Sequence, residues 1–118
     1  MALFTDDIVW ERLPPTPWQL AGRDAVLGFL SKNAASLDIL LYAIVASSIE
    51  IRDADHACAR STMSELIRFK TGAALHVVGT YSDEFVKADG SWFFSRRTIK
   101  ARYEEDVVGP PRIFSGSE

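Results

Sequence analysis

The chain is short of several things at once. It has a single cysteine, Cys58, in 118 residues, so no disulfide can form within it and the sequence fits a reducing, cytoplasmic setting. It has no basic excess: 13 Lys and Arg stand against 16 Asp and Glu, a net charge of −3. A nucleic-acid surface wants a basic stripe, so no nucleic-acid partner is expected. The longest apolar run, Ile39 to Ala46, falls well below the roughly 20 residues that cross a bilayer. No signal peptide is visible, and no membrane partner is expected. There are no repeats, and no glycine-rich loop of the kind that cradles phosphates. What remains is an ordinary soluble composition, 47 % apolar and 25 % charged, long enough for one domain with one core.

The first third of the chain is punctuated. Met1 to Phe4 reads as the last turn of a helix, and Thr5-Asp6-Asp7 as a turn. Ile8-Val9-Trp10 is a short strand stopped by Pro14, Pro15 and Pro17, with Trp18-Gln19-Leu20 as its hairpin partner. Gly22 caps a helix over Arg23 to Ala35, with Asp24 in its first turn. Val26, Phe29, Leu30 and Asn33 give that helix a stripe at i, i+3, i+4 and i+7. From Leu37 onward only strands are read: Leu37 to Arg52, Ala57 to Phe69, Ala73 to Val86, and a last one ending at Tyr103. Glu104 to Glu118 contains Gly109-Pro110-Pro111 and reads as a tail after a domain of residues 1–103.

Polarity tests the registers. Pairing Phe69 with Ala73 sets Ala59, Ser61, Met63, Glu65 and Ile67 beside Asp83, Tyr81, Gly79, Val77 and Leu75. Pairing Ile51 with Ala59 sets Glu50 opposite Arg60, a favourable cross-strand pair. A three-residue loop, Ala88-Asp89-Gly90, pairs Lys87 with Ser91, which sets Tyr81 opposite Arg97 and Asp83 opposite Ser95. Together these give one antiparallel sheet. Its inner face holds Ala43, Val45, Ser47, Ile49, Met63, Ile67, Val77, Phe93 and Ile99. Its outer face is mostly charged. A one-residue slip in any strand would scramble this division.

The ordered set Asp6-Asp7-Ile8-Val9-Trp10, Gly22-Arg23-Asp24-Ala25-Val26, Gly79-x-Tyr81-x-Asp83, Asp89-Gly90-x-Trp92 and Arg97 resembles the nuclear transport factor 2-like superfamily. Within it the likeness is to SnoaL-like proteins, over roughly residues 2 to 103. The resemblance implies an α+β fold: a cone-shaped, curved antiparallel sheet around a helix and an internal pocket. Members include polyketide cyclases, ketosteroid isomerases and scytalone-type dehydratases, besides proteins that only bind or dimerise, so the fold does not settle function. Two departures stand out. Members usually carry one or two helices before the Asp-Asp strand, with an acid that has no counterpart here. Many also have a histidine at the start of the first long strand, where this chain reads Leu40-Leu41-Tyr42-Ala43-Ile44.

Candidate chemistry follows from the inner face. Glu65 sits there between Met63 and Ile67, and a carboxylate in apolar surroundings can act as general acid or base near neutral pH. Tyr81 is the candidate to polarise a substrate oxygen. Asp83 and Arg97 are read first as an ion pair joining two strands, and with Trp10, Trp18, Val45, Ser47, Met63 and Val77 they are the expected ligand-binding residues. His76 falls on the outer face opposite Leu66. His56, beside Asp53 and Asp55, reads as part of a solvated turn, since that spacing matches no metal loop. Ser61, Thr62 and Ser64 lie in no nucleophile elbow, so a hydrolase triad is not expected. Cys58 reads as a small apolar residue.

The expectation is therefore a pocket for a small apolar, cyclic ligand. If it is catalytic, isomerisation, cyclisation or dehydration by proton transfer without a cofactor is expected. The rival is a non-catalytic binding or dimerisation module. A homodimer is expected through the outer face, where Tyr42, Ile44, Leu66, His76 and Val78 fall together as an apolar patch.

Overall fold

The computed structural model describes residues 3–114. The chain runs β1 (Phe4–Arg12), β2 (Trp18–Ala21), α1 (Arg23–Ser36), β3 (Leu37–Ile51), β4 (His56–Phe69), β5 (Ala74–Ala88) and β6 (Ser91–Asp106). The six strands form one sheet in the order β2-β1-β6-β5-β4-β3. It is antiparallel except where β1 meets β6, which run parallel. The sheet curls around α1 into the α+β cone that the sequence led one to expect. No described helix is long and apolar enough to cross a membrane.

The start of the chain departs from its reading. Phe4 and Thr5-Asp6-Asp7 belong to β1 rather than to a helix end and a turn; Met1 and Ala2 lie outside the described residues. The Phe4 ring is buried against Trp10 and Phe94, and a buried aromatic outweighs the local turn preference of exposed aspartates. Arg23 locks the first turn of α1 to this strand, donating two hydrogen bonds to the Phe4 carbonyl at 3.0 and 2.9 Å and pairing with Asp6 at 2.8 Å. At the other end β6 continues through Asp106, which stands opposite Leu75, so the first residues of the expected tail are strand.

The β4–β5 register is the expected one throughout, from Ala59 opposite Asp83 to Ile67 opposite Leu75. Bulges shift the others. Asp89 and Gly90 both take left-handed conformations, φ 52° and 79°, which makes a two-residue turn that pairs Ala88 with Ser91. A bulge beyond Glu84 then sets Asp83 opposite Arg97 and Tyr81 opposite Ile99. The expected pairs Tyr81–Arg97 and Asp83–Ser95 do not form. The same bulge turns Phe94, not Phe93, inward, where its ring lies 4.6 Å from that of Phe85.

In β3 the far half pairs two residues away from the expectation: Ile51 faces Ala57 and Glu50 faces Cys58. The expected Glu50–Arg60 pair is therefore absent. A bulge between Ile44 and Ala46 leaves Val45 as the extra residue, sets Tyr42 opposite Glu65, and sets Ile44 opposite Met63. Because side chains alternate, Tyr42 and Ile44 point into the cone. They leave the apolar patch assigned to a subunit interface, while Leu66 stays outside opposite His76.

Two buried clusters hold the fold. One is Phe4, Ile8, Trp10 and Val26, with Trp18, Leu20 and Phe94 against it. The other is Met63, Val77, Tyr81 and Ile99. Between Val78 and Gly79 the β5–β6 register slips again, and a Cβ on Gly79 would come within 2.6 Å of the Lys100 carbonyl. Only glycine permits this close approach, with the Met63 methyl packed over the gap. α1 packs on β1 and β2, and β3 is exposed along the edge of the sheet, with Ile44 57 % and Ile49 73 % accessible.

Candidate functional site

Between α1 and the inner face of β3 to β6 lies a cavity of about 670 Å³. Each element contributes by periodicity. The helical stripe supplies Phe29, Leu30 and Asn33, while alternate positions supply Tyr42 and Ile44 from β3, Glu65 and Ile67 from β4, Tyr81 from β5, and Arg97 and Ile99 from β6. One end is aromatic. The Trp18 ring lies 5.2 Å from Phe29 and 6.1 Å from Trp10. The other polar members, Tyr42, Glu65, Tyr81 and Arg97, stand on four neighbouring strands. The Tyr42 and Tyr81 rings are 6.4 Å apart.

Arg97 is clamped. Its guanidinium carbon lies 3.8 Å from the centre of the Tyr81 ring and 5.5 Å from that of Trp10, a cation–π arrangement in a partly desolvated place. Its Nε comes within 3.2 Å of Asp83 Oδ1. The contact is an ion pair without the alignment of a hydrogen bond, since neither atom has a hydrogen-bond partner. Burial nevertheless holds the Asp83 carboxyl above its usual range, with Arg97 only partly offsetting it. Burial likewise raises Glu65, against the pull of Arg97 and Arg12. The phenols of Tyr42 and Tyr81 are raised by burial too, Tyr81 strongly. At neutral pH both phenols are therefore neutral hydrogen-bond donors, with a cation beside them and a carboxyl whose pKa burial raises.

Five of the residues singled out in the sequence meet here: Glu65, Tyr81, Arg97, Trp10 and Trp18. The other five do not line the cavity. Val45 is the bulged residue, 63 % exposed. Ser47 lies further along exposed β3, opposite Ser61. Met63 and Val77 are buried in the core, and Asp83 is buried behind Arg97. Tyr42 and Ile44 are the site residues that the alternation placed on the wrong face, because a bulge inside an apolar β-branched run leaves no mark in it. The helix stripe did mark Phe29, Leu30 and Asn33, though only as a packing face. His56 and Asp53 pair at 2.9 Å in the exposed turn. Among the described residues no group of three metal-ligating side chains comes together.

A curled sheet closed by a helix over one cavity, with its polar side chains projecting from neighbouring strands, defines the nuclear transport factor 2-like class of α+β cones. Within that class the chain belongs to the SnoaL-like domain family, whose model matches residues 1–98. Solved structures share the fold. The hexachlorocyclohexane dehydrochlorinase LinA-type3 from Novosphingobium barchaimii superposes with a TM-score of 0.78 at 16 % identity, over 96 % of this chain and 77 % of that one. A candidate scytalone dehydratase from Novosphingobium aromaticivorans gives 0.79 at 23 % identity, over 98 % and 77 %. A ketosteroid isomerase-like protein from Erwinia carotovora atroseptica gives 0.69 at 22 %, over 86 % and 77 %. The comparison with curated proteins returned no match.

Proposed function

We propose that the cone binds a small, apolar, ring-bearing molecule and that Glu65 moves a proton on it. The carrying observation is Glu65 itself: a carboxyl raised by burial, facing a cavity of about 670 Å³ whose other walls are mostly apolar. The aromatic end holds the ring system by stacking and area burial. As base, the Glu65 carboxylate takes a proton from a carbon next to a carbonyl or to a leaving group. The developing negative charge falls to the phenol donors of Tyr42 and Tyr81 and to the Arg97 cation; Tyr81 and Arg97 are the more buried of the three, where charge interactions are stronger. The protonated Glu65 then returns the proton elsewhere on the ligand, or keeps it until the leaving group departs. Isomerisation, cyclisation and dehydration all fit this sequence. The dehydrochlorinase, dehydratase and isomerase-like names of structures sharing the fold support the same reaction class by analogy only.

A second reading, a binding module without catalysis, is favoured by one observation: no histidine lines the cavity, and Asp83 is taken up by Arg97. Two measurements separate the readings. Binding of 2-naphthol, an apolar bicyclic phenol, is followed by its fluorescence, and the Glu65 carboxyl is titrated by carbon-13 NMR. Binding together with a titration midpoint above the ordinary glutamate range supports the catalytic reading. Binding with an ordinary midpoint leaves a binding module. Absence of any 2-naphthol binding overturns the cavity as a site for apolar rings.

A further inference from the structure

We propose that Ser64, His76 and Glu105 form an acyl-transfer site on the outer face of the sheet, suited to small activated esters with an apolar acyl group. The three residues stand on β4, β5 and β6, three neighbouring strands. Ser64 shares a rung with Val78 and Tyr103, and His76 shares the next but one, the next on the same face, with Leu66 and Glu105. Ser64 Oγ lies 2.9 Å from His76 Nε2, and the other ring nitrogen, Nδ1, faces Glu105 Oε1 at 3.6 Å. Glu105 is held in turn: the Tyr103 hydroxyl donates to its Oε2 at 2.8 Å, and the Tyr103 ring meets the His76 ring edge-on at 6.3 Å.

This is the order a nucleophile requires. With the proton on Nδ1, facing the carboxylate, the Nε2 lone pair is free to take the Ser64 proton. A triad is recognised by such roles and geometry, not by a sequence motif, so the absence of a nucleophile elbow does not exclude it. Beside the three residues is a depression of about 430 Å³ bounded by Leu41, Ala43, Leu66 and Val107, an apolar seat for a short acyl chain. The three residues are on the opposite face of the sheet from the cone cavity, and only Tyr42 borders both depressions.

The chemistry balances. Ser64 Oγ adds to the ester carbonyl carbon while its proton passes to Nε2. The adduct collapses, and the leaving alcohol departs with that proton. Water then adds to the acyl-serine, gives a proton to Nε2, and the acid leaves as Ser64 recovers its own. The backbone on both sides of Ser64 is committed to ladders with β3 and β5, so no pair of free amides stands ready for an oxyanion. That restricts the substrate to esters with a good leaving group, such as aryl esters.

The test uses p-nitrophenyl butyrate on the whole chain. A burst of p-nitrophenolate and a butyryl group on the Ser64 peptide by mass spectrometry are expected. Ser64→Ala abolishes both, and His76→Asn slows acylation about a hundredfold. Glu105→Gln slows it roughly tenfold, well short of the ~10⁴ of a buried triad acid, because Glu105 is half exposed. Glu105→Asp restores most of the loss, which a merely structural role would not do. Ser82→Ala, an exposed serine on β5, changes nothing. Circular dichroism checks that each variant is folded. No adduct on Ser64, or one that forms equally fast in folded His76→Asn, overturns the proposal.

Discussion

The two faces of β4, β5 and β6 carry polar groups of opposite character, and adjacent residues separate them: Glu65 points into the cone and Ser64 away from it. The phenols show the contrast. Tyr42 and Tyr81, inside, are raised chiefly by burial. Tyr103, outside and solvated, is raised chiefly by the hydrogen bond it gives Glu105. Inside, the medium sets the chemistry and Arg97 is the countercharge to all of it. Outside, Tyr103 is tuned by the carboxylate it touches. Period-two alternation on a curled sheet thus gives one set of strands a more buried polar face and a more solvated one.

The inner set should be the fragile one. Arg97→Ala removes the countercharge from buried Asp83 and the cation from the Tyr81 ring, so about 3 kcal/mol of stability at pH 7 should be lost in urea unfolding. Adding Asp83→Asn should recover much of it, since the uncompensated charge then disappears. A loss no larger than that of an outer substitution such as Glu105→Gln would erase the distinction between the faces. Next in size is Gly79→Ala. Its methyl must displace the Lys100 carbonyl from 2.6 Å, at about 2 kcal/mol, and should flatten the curl that separates inside from outside. Unchanged stability together with unchanged 2-naphthol binding would show that the curl does not rest on this glycine.

Much of this was legible in the sequence, and most of what was misread along the long strands has one physical origin. The helix, the four long strands side by side in chain order and the entire β4–β5 register were legible, the register because the alternation in those two strands runs without interruption from Ala59 to Ile67 and from Leu75 to Asp83; the parallel seating of β1 on β6 was not. Where one extra residue enters a strand, parity reverses beyond it. That happens near Val45, which moved Tyr42 and Ile44 inside, and near Ser95, which exchanged Phe93 for Phe94. Glu65 and Tyr81 were found because they lie on the uninterrupted strands. The Ser64–His76–Glu105 row escaped notice because its members lie on three separate strands, and Glu105 falls in a stretch that reads as tail.

The smallest expected effect tests the inner site most directly. The native pKa of Glu65 lies above its ordinary value of 4.5, so between the two the native state holds a proton that the unfolded chain has lost. Stability contributed by this group therefore falls as pH rises from 4.5 through the native pKa, and is constant above it. Asp83, also raised, has the same sign starting from 3.8 and is untouched by a change at position 65. Glu65→Gln keeps the shape of the protonated side chain and removes its titration. Below pH 4.5 wild type and variant should then unfold at nearly the same urea concentration. Toward pH 8 the variant should become the more stable, by less than either effect above. That result would mean that the carboxylate is retained in the native cone against a stability cost, as a group kept for chemistry would be. A variant less stable than wild type at pH 8 would mean that Arg97 and Arg12 fully compensate the charge. Glu65 would then be part of the structural framework, and the inner face would keep its cavity but lose its base.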